Sequence, residues 1–151
     1  MFSRSYDVIW ADLDANAHMR HTAYMDYAAQ VRLAWLQEMG FSIARLNQAG
    51  VGPILFREAT LYHREVRGGD RITVALELIG LSENRKHWRF RQPIHNQAGE
   101  LTAVVEVQGA WLDLAARKVA PPPAELLAAV EAWPRAADFA LILPVKSPAQ
   151  A

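Results

Sequence analysis

Between residues 22 and 39 the apolar side chains Tyr24, Tyr27, Ala28, Val31, Ala34, Trp35 and Leu36 recur at intervals of three and four, and Gly40 follows as a stop signal. That spacing predicts a helix of about four to five turns. Asp26, Gln30, Arg32 and Gln37 fall mainly off the stripe, so one wide, aromatic face must be deeply buried. The rest of the chain has to supply the surface that covers it.

The remaining segments read mostly as strands. Tyr6, Val8 and Trp10 alternate with Ser5, Asp7, Ile9 and Ala11, which predicts a first strand of about six residues. After a connector around NQAGVGP, residues 54–66 form a long strand, and RGGD at 67–70 is a turn into residues 71–81, where Ile72, Val74, Leu76 and Leu78 share a face. That pair reads as a hairpin. SENR at 82–85 makes another turn, after which Trp88, Phe90 and Ile94 share one parity and His87, Arg89 and Arg91 the other. HNQAGE at 95–100 turns again into a last strand, 101–114, with Val105 and Val107 opposite Glu106 and Gln108. APPP at 120–123 breaks the sheet, residues 124–133 predict a short helix after a proline start, and the tail from Pro144 is expected to be disordered. The expected fold is α+β, a single domain over 1–143, with a curved antiparallel five-stranded sheet wrapped around the long helix and a short C-terminal helix.

Composition removes several classes of function. Among 151 residues, 16 basic side chains balance 16 acidic ones, so no global field attracts nucleic acid or an anionic membrane. There is no cysteine, which excludes disulfide frameworks, thiolate metal sites and a thiol nucleophile together. No window approaches the roughly 18 to 20 apolar residues of a membrane span, and the N-terminal apolar run is too short for a secretory signal. A soluble, cytoplasmic protein is expected.

Chemistry concentrates in DLDANAHMRH, residues 12–21, where Asp12, Asp14, His18 and His21 lie just ahead of the long helix. A helix start carries unpaired N–H groups and about half a positive charge, so it suits an oxygen that becomes negative during a reaction. A carboxylate on the preceding loop can stand opposite it as nucleophile or base. Together these hydrolyse acyl groups. A thioester asks least, because its thiol leaves as thiolate with a pKa near that of free cysteine, about 8.5. Asp12 reads as a turn or capping carboxylate. A metal held by the two histidines and the carboxylates is the competing reading, but the histidines sit three apart on a connector rather than on the i, i+4 face of a helix. No metal is expected.

The segment WADLDANAHMRHTAYMDYAAQVRLAWL, 10–36, resembles the active-site segment of the hotdog-fold acyl-CoA thioesterases, the group similar to 4-hydroxybenzoyl-CoA thioesterase. The D-x-D, the short loop, the tyrosine and the R-x-x-W-L run carry the resemblance, and the spacing of Tyr62 to Asp70 is compatible with it. It implies a hotdog fold, a homodimer or homotetramer with active sites at the subunit interface, and hydrolysis of an acyl-CoA to a carboxylic acid and CoA. No cofactor is implied, since CoA is part of the substrate. The resemblance assigns Asp14 as nucleophile or general base. It assigns His21, seven positions later, as the residue whose backbone N–H polarises the thioester carbonyl. His18 matches a histidine that other members place four positions after the aspartate, so either imidazole is a catalytic candidate.

For the rest of the substrate, Tyr24 is a candidate contact, although at helical spacing it is a core position first. Arg85 and Lys86, in the densest basic stretch, NRKHWRFR, are candidates for the CoA phosphates, with Arg117 and Lys118 behind them. The same stretch places its aromatic residues opposite its arginines, which argues against a nucleic-acid stacking platform. A non-catalytic acyl-CoA or acyl-carrier binding module on the same fold, and a hotdog dehydratase, are the alternatives.

Overall fold

A computed structural model describes residues 1–143; the tail from Pro144 lies outside the described residues. The long helix, α1, spans His21–Glu38 and buries Ala23, Tyr24, Tyr27, Ala28, Val31, Trp35 and Leu36, the stripe its spacing predicted. Gly40 ends it with φ of 84°, a left-handed turn that glycine adopts without strain.

Around α1 curls one sheet. Strands β1 (Phe2–Asp7), β2 (Val51–Tyr62), β3 (Arg71–Ser82), β4 (His87–Asn96) and β5 (Leu101–Asp113) run in the antiparallel order β1-β3-β4-β5-β2. These five are the expected strands. Parity holds as read: Trp88, Phe90 and Ile94 are buried on the inner face with Val105 and Val107, while Arg89, Arg91, Glu106 and Gln108 are less buried on the outer face. Gly109 lies under the Trp88 ring, where a Cβ would collide with that ring and with the Ile54 carbonyl.

The expected hairpin of β2 with β3 does not form. β2 pairs with β5 at one edge, and β3 lies between β1 and β4. The reason lies in the RGGD turn, whose backbone is claimed by the N-terminal region: Gly69 N–H donates to Val8 O at 2.9 Å, and Val8 N–H donates to Asp70 O at 2.9 Å. Just before it, Met19 N–H donates to Val66 O at 2.6 Å. β3 is buried almost throughout and needs a strand on each side, whereas β2, fully buried only at Val51, suits an edge.

Other boundaries move for similar reasons. The first strand begins at Phe2 and stops at Asp7, opposite Arg71 where β3 begins. Trp10 therefore leaves the sheet in a single 3-10 turn, Trp10–Asp12, and is 88% exposed. The connector around NQAGVGP contains a short helix, α2 (Ile43–Gln48), whose Ser42 side chain accepts from Arg45 N–H at 3.2 Å. After β6 (Lys118–Val119), which pairs with β5, the C-terminal helix α3 covers Ala124–Glu131 and buries Leu126 and Val130. A further strand, β7 (Arg135–Ile142), lies parallel to β3 along Leu78–Ser82, continuing the edge that β1 covers.

Candidate functional site

The connector between β1 and α1 is a small knot of local hydrogen bonds. Arg20 N–H donates to Asp12 O at 2.7 Å, and Leu13 bridges Met19 across the loop. Inside that bridge Asp14 N–H donates to His18 O at 2.8 Å and Ala17 N–H to Asp14 O at 3.0 Å, with Ala17 in the left-handed region at φ of 59°. The Asp14 carboxylate closes the turn from above: Oδ1 accepts from Asn16 N–H at 2.8 Å and His18 N–H at 3.2 Å. One carboxylate oxygen is thus fixed by two backbone donors, and the residue stays exposed.

Asp12 has the structural part read for it. Tyr27 OH donates to Asp12 Oδ2 at 2.6 Å, and Arg20 lies 3.4 Å from Oδ1, which tethers the connector to the second turn of α1. Burial, then the Asp12 hydrogen bond and charge, push the Tyr27 phenol up to about 12.

At the head of α1 no side chain caps the first turn, and Arg20 occupies the N-cap position. His21 is exposed there, and its carbonyl accepts from Tyr62 OH at 3.1 Å. Tyr62 also meets Tyr24 edge to face with ring centres 5.2 Å apart, so the end of β2 is pinned to the helix start. The Tyr24 phenol is raised above its ordinary value by burial first, then by Tyr62 and by the Asp14 charge. His21, Tyr24 and Tyr62 therefore form one group, with the Asp14 charge acting on its Tyr24 phenol. Tyr24 is almost fully buried, so its ring is a wall and packing residue.

His18 is turned to a different partner. Its Nε2 lies 3.0 Å from Glu65 Oε2, and it meets Asp14 through its backbone N–H and carbonyl alone. Glu65 is held below the ordinary carboxylate range chiefly by its hydrogen bond from Arg67, with His18 adding to that attraction.

Within one chain, Arg85 and Lys86 do not approach this group. They sit at the β3–β4 turn, at the far end of the ten-residue strand β4, roughly 30 Å along the sheet. Arg85 Nε donates to Glu131 Oε1 at 2.6 Å and Nη1 to Ser82 O at 3.1 Å, so its guanidinium already ties that turn to α3. Arg117, φ 54°, and Lys118 also lie away from the connector, at the start of β6.

Sequence reading missed Tyr62 and Glu65 as neighbours of the site, because each reaches it from more than 40 residues away along the chain. It also missed a buried polar chain behind α1. Arg32 Nη1 donates to Gln92 Oε1 at 2.6 Å, Gln92 Nε2 donates to Ala28 O at 2.8 Å, and Arg32 Nη2 lies 3.6 Å from Glu58 Oε1. Burial lowers the Arg32 pKa and Glu58 opposes that shift. Gln92 could have been found, since it shares the inward parity of Trp88, Phe90 and Ile94. Among the described residues no group of three or more His, Cys, Asp or Glu side chains is disposed to hold a metal, and no helix is long and apolar enough to cross a membrane.

Comparison with known proteins bears on the family and the fold. A family model described as "Thioesterase-like superfamily" matches residues 8–130. No curated protein sequence matches the chain. Among solved structures, a 1,4-dihydroxy-2-naphthoyl-CoA thioesterase from Synechocystis superposes with a TM-score of 0.78 at 19% identity, covering 87% of this chain and 96% of that one. A hypothetical protein from Staphylococcus aureus, solved in complex with CoA, gives 0.80 at 18% identity over 96% of this chain and 95% of that one. A putative thioesterase from Pseudomonas aeruginosa gives 0.74 at 21% identity over 85% and 97%. At these identities the likeness is one of fold, and the fold shared is the hotdog fold.

Proposed function

The chain belongs to the thioesterase-like superfamily, and on that premise we propose that it hydrolyses an acyl-CoA thioester to a carboxylic acid and free CoA. The observation that carries this reading is the placement of Asp14: its carboxylate is held in a tight turn immediately ahead of the uncapped first turn of α1. The thioester carbonyl oxygen docks at the backbone N–H of His21, where the positive end of α1 stabilises the charge that develops on it. One such donor is worth about 3 to 4 kcal/mol. Asp14 works from the opposite side, either attacking the carbonyl carbon to form an anhydride that water then opens, or taking a proton from the attacking water. In both routes a C–O bond forms, the C–S bond breaks, and the thiol leaves as thiolate without a general acid. The imidazole of His21 stands at the exposed helix start, whereas that of His18 is paired with Glu65. No cofactor is needed beyond the CoA of the substrate.

The site works as part of a homodimer in this proposal. Among the described residues the outer edge of β2 is unpaired, and the strand exposes Leu55, Phe56, Leu61 and Tyr62, an apolar edge that a second copy would cover.

The test is Asp14→Asn assayed with acyl-CoAs by the release of free thiol. Turnover should fall by roughly 10³-fold while the far-UV spectrum and melting temperature stay near those of the parent chain. Wild-type turnover in the variant would remove Asp14 from the mechanism. Acyl-CoA binding by the parent chain with no thiol released would instead make the protein a binding module.

A further inference from the structure

β2 ends on Tyr62, whose hydroxyl donates to the carbonyl of His21 at 3.1 Å. That carbonyl belongs to the peptide unit joining His21 to Thr22. The unit is planar and trans, so its C=O and N–H point in rigidly opposed directions. Fixing the His21 oxygen therefore fixes the aim of the Thr22 N–H, which points out of the helix start like the other N–H groups of a first turn. Two such donors stand free there. Ala23 N–H already donates to Arg20 O at 3.0 Å, whereas neither His21 N–H nor Thr22 N–H has a hydrogen-bond partner among the described residues, and no side chain caps the turn.

The other ties on this turn are local. Arg20 N–H donates to Asp12 O at 2.7 Å and Arg20 Nη1 to Thr22 Oγ1 at 2.8 Å, both within the connector and the first turn. Tyr62 brings its anchor from the sheet. β5 holds it in register opposite Ala103, and its ring meets the buried Tyr24 edge to face at 5.2 Å. Tyr62 is also half exposed, so water could satisfy its hydroxyl and folding does not demand this hydrogen bond. Its consequence lies in the peptide instead. A hydrogen bond accepted by a carbonyl polarises the N–H on the other side of the same unit, and a donor already aimed needs no reorganisation when charge develops on a nearby oxygen.

We propose that Tyr62 is a positioning residue for the hydrolysis: it holds and polarises the His21–Thr22 peptide so that Thr22 N–H joins His21 N–H in stabilising the thioester oxygen. The inference rests on the thioesterase reading and adds to it a second donor and the residue that sets its aim. In this role Tyr62 acts through the peptide and not on the reacting atoms. Its effect falls on the transition state, where the oxygen carries most charge, more than on bound substrate.

Tyr62→Phe tests this, since it keeps the ring against Tyr24 and removes only the hydroxyl. Thiol release is followed with acetyl-, decanoyl- and benzoyl-CoA as probes. For whichever of these the parent chain turns over fastest, kcat should fall about tenfold, the scale of one hydrogen bond felt at the transition state. KM should stay within twofold, with melting temperature and light-scattering mass unchanged. A second readout needs no catalysis: in the chain labelled with 15N-threonine, the Thr22 amide should move upfield in Tyr62→Phe, because its peptide carbonyl has lost a donor, while the amides of Thr73 and Thr102 stay in place. Parent-like kcat in the variant, a loss carried by KM alone, or a fall in kcat with the Thr22 amide unmoved overturns the positioning role while leaving thioester hydrolysis standing. A Thr22 amide that moves in a chain releasing no thiol from any of the three acyl-CoAs keeps Tyr62 as the anchor of the helix start and overturns the hydrolase.

Discussion

The two edges of the sheet are managed in opposite ways. At the β3 edge, β1 covers Arg71–Leu76 and β7 covers Leu78–Ser82, so nearly every residue of that strand has a neighbour on both sides. A clasp holds β7 down: Arg91 Nε donates to Glu77 Oε2 at 2.7 Å, while Nη1 and Nη2 reach the two Asp138 oxygens at 2.7 and 2.9 Å. Gly80 permits the approach, since a Cβ there would press on Ala140 O at 3.0 Å. At the β2 edge nothing comparable lies across the strand within the described residues. Unpaired edges invite aggregation and are normally blunted by short strands, charge or a covering segment. Among the described residues the chain applies that protection at one edge and withholds it at the other, and the unprotected edge borders the candidate catalytic group through Tyr62.

The largest effect should come from spoiling the open edge. In the proposed dimer Phe56 and Arg57 lie at the middle of the paired strands, so Phe56→Lys gathers like charge about the two-fold axis, and Leu61→Lys removes apolar cover near the strand's end. The double variant should elute at monomer mass in light-scattering chromatography and lose at least tenfold in acyl-CoA turnover while staying folded. A parent chain that is itself monomeric at micromolar concentration would end the dimer proposal.

A smaller effect should follow from loosening the clasp on the closed edge. The Arg91 hydrogen bond holds the Asp138 carboxyl below its ordinary range. A carboxyl depressed in the folded state stabilises fully above its unfolded pKa of about 3.9, and that contribution is lost as pH falls through the lower folded value. Amide-exchange protection at residues 140–142, taken relative to the intrinsic rate at each pH, should therefore fall on acidification from pH 6 to 3 more in the parent chain than in Asp138→Asn, where the clasp is already broken. Arg91→Gln should cost on the order of 1 kcal/mol of stability, read by denaturant unfolding, with oligomeric mass unchanged. The smallest effect is expected from Leu141→Lys, an exposed position on β7: stability within about 0.5 kcal/mol of the parent, and the same mass. Dissociation in that variant would show that the wrong edge had been identified as the seam.

How legible each part was depends on whether its cause is local. α1 could be read from spacing because an 18-residue helix repeats its pattern many times, and Gly40 marks its end chemically. β3, β4 and β5 are joined by short turns, so parity and turn residues suffice. β7 escaped because ArgAlaAlaAspPheAlaLeuIle carries little strand signal of its own and is held by Arg91 and by β3, both far away in sequence. The candidate site divides in the same way. Asp14, His18 and His21 stand out within ten residues, whereas Tyr62 and Glu65 join them only through chain reversal.

Sequence by itself determined the local events: a buried aromatic helix with an uncapped start, a carboxylate turn ahead of it, and alternating strands of sufficient length to wrap it. These depend on interactions within a few residues, where the order of side chains dictates the outcome. Only the tertiary structure decided that β2 crosses to the open edge, that the His18 ring belongs to Glu65, that Arg85 is bound to α3, and that Tyr62 is brought to the start of α1. Those outcomes are settled by competition among distant partners for the same backbone edges and charges, and one-dimensional spacing does not record which partner prevails.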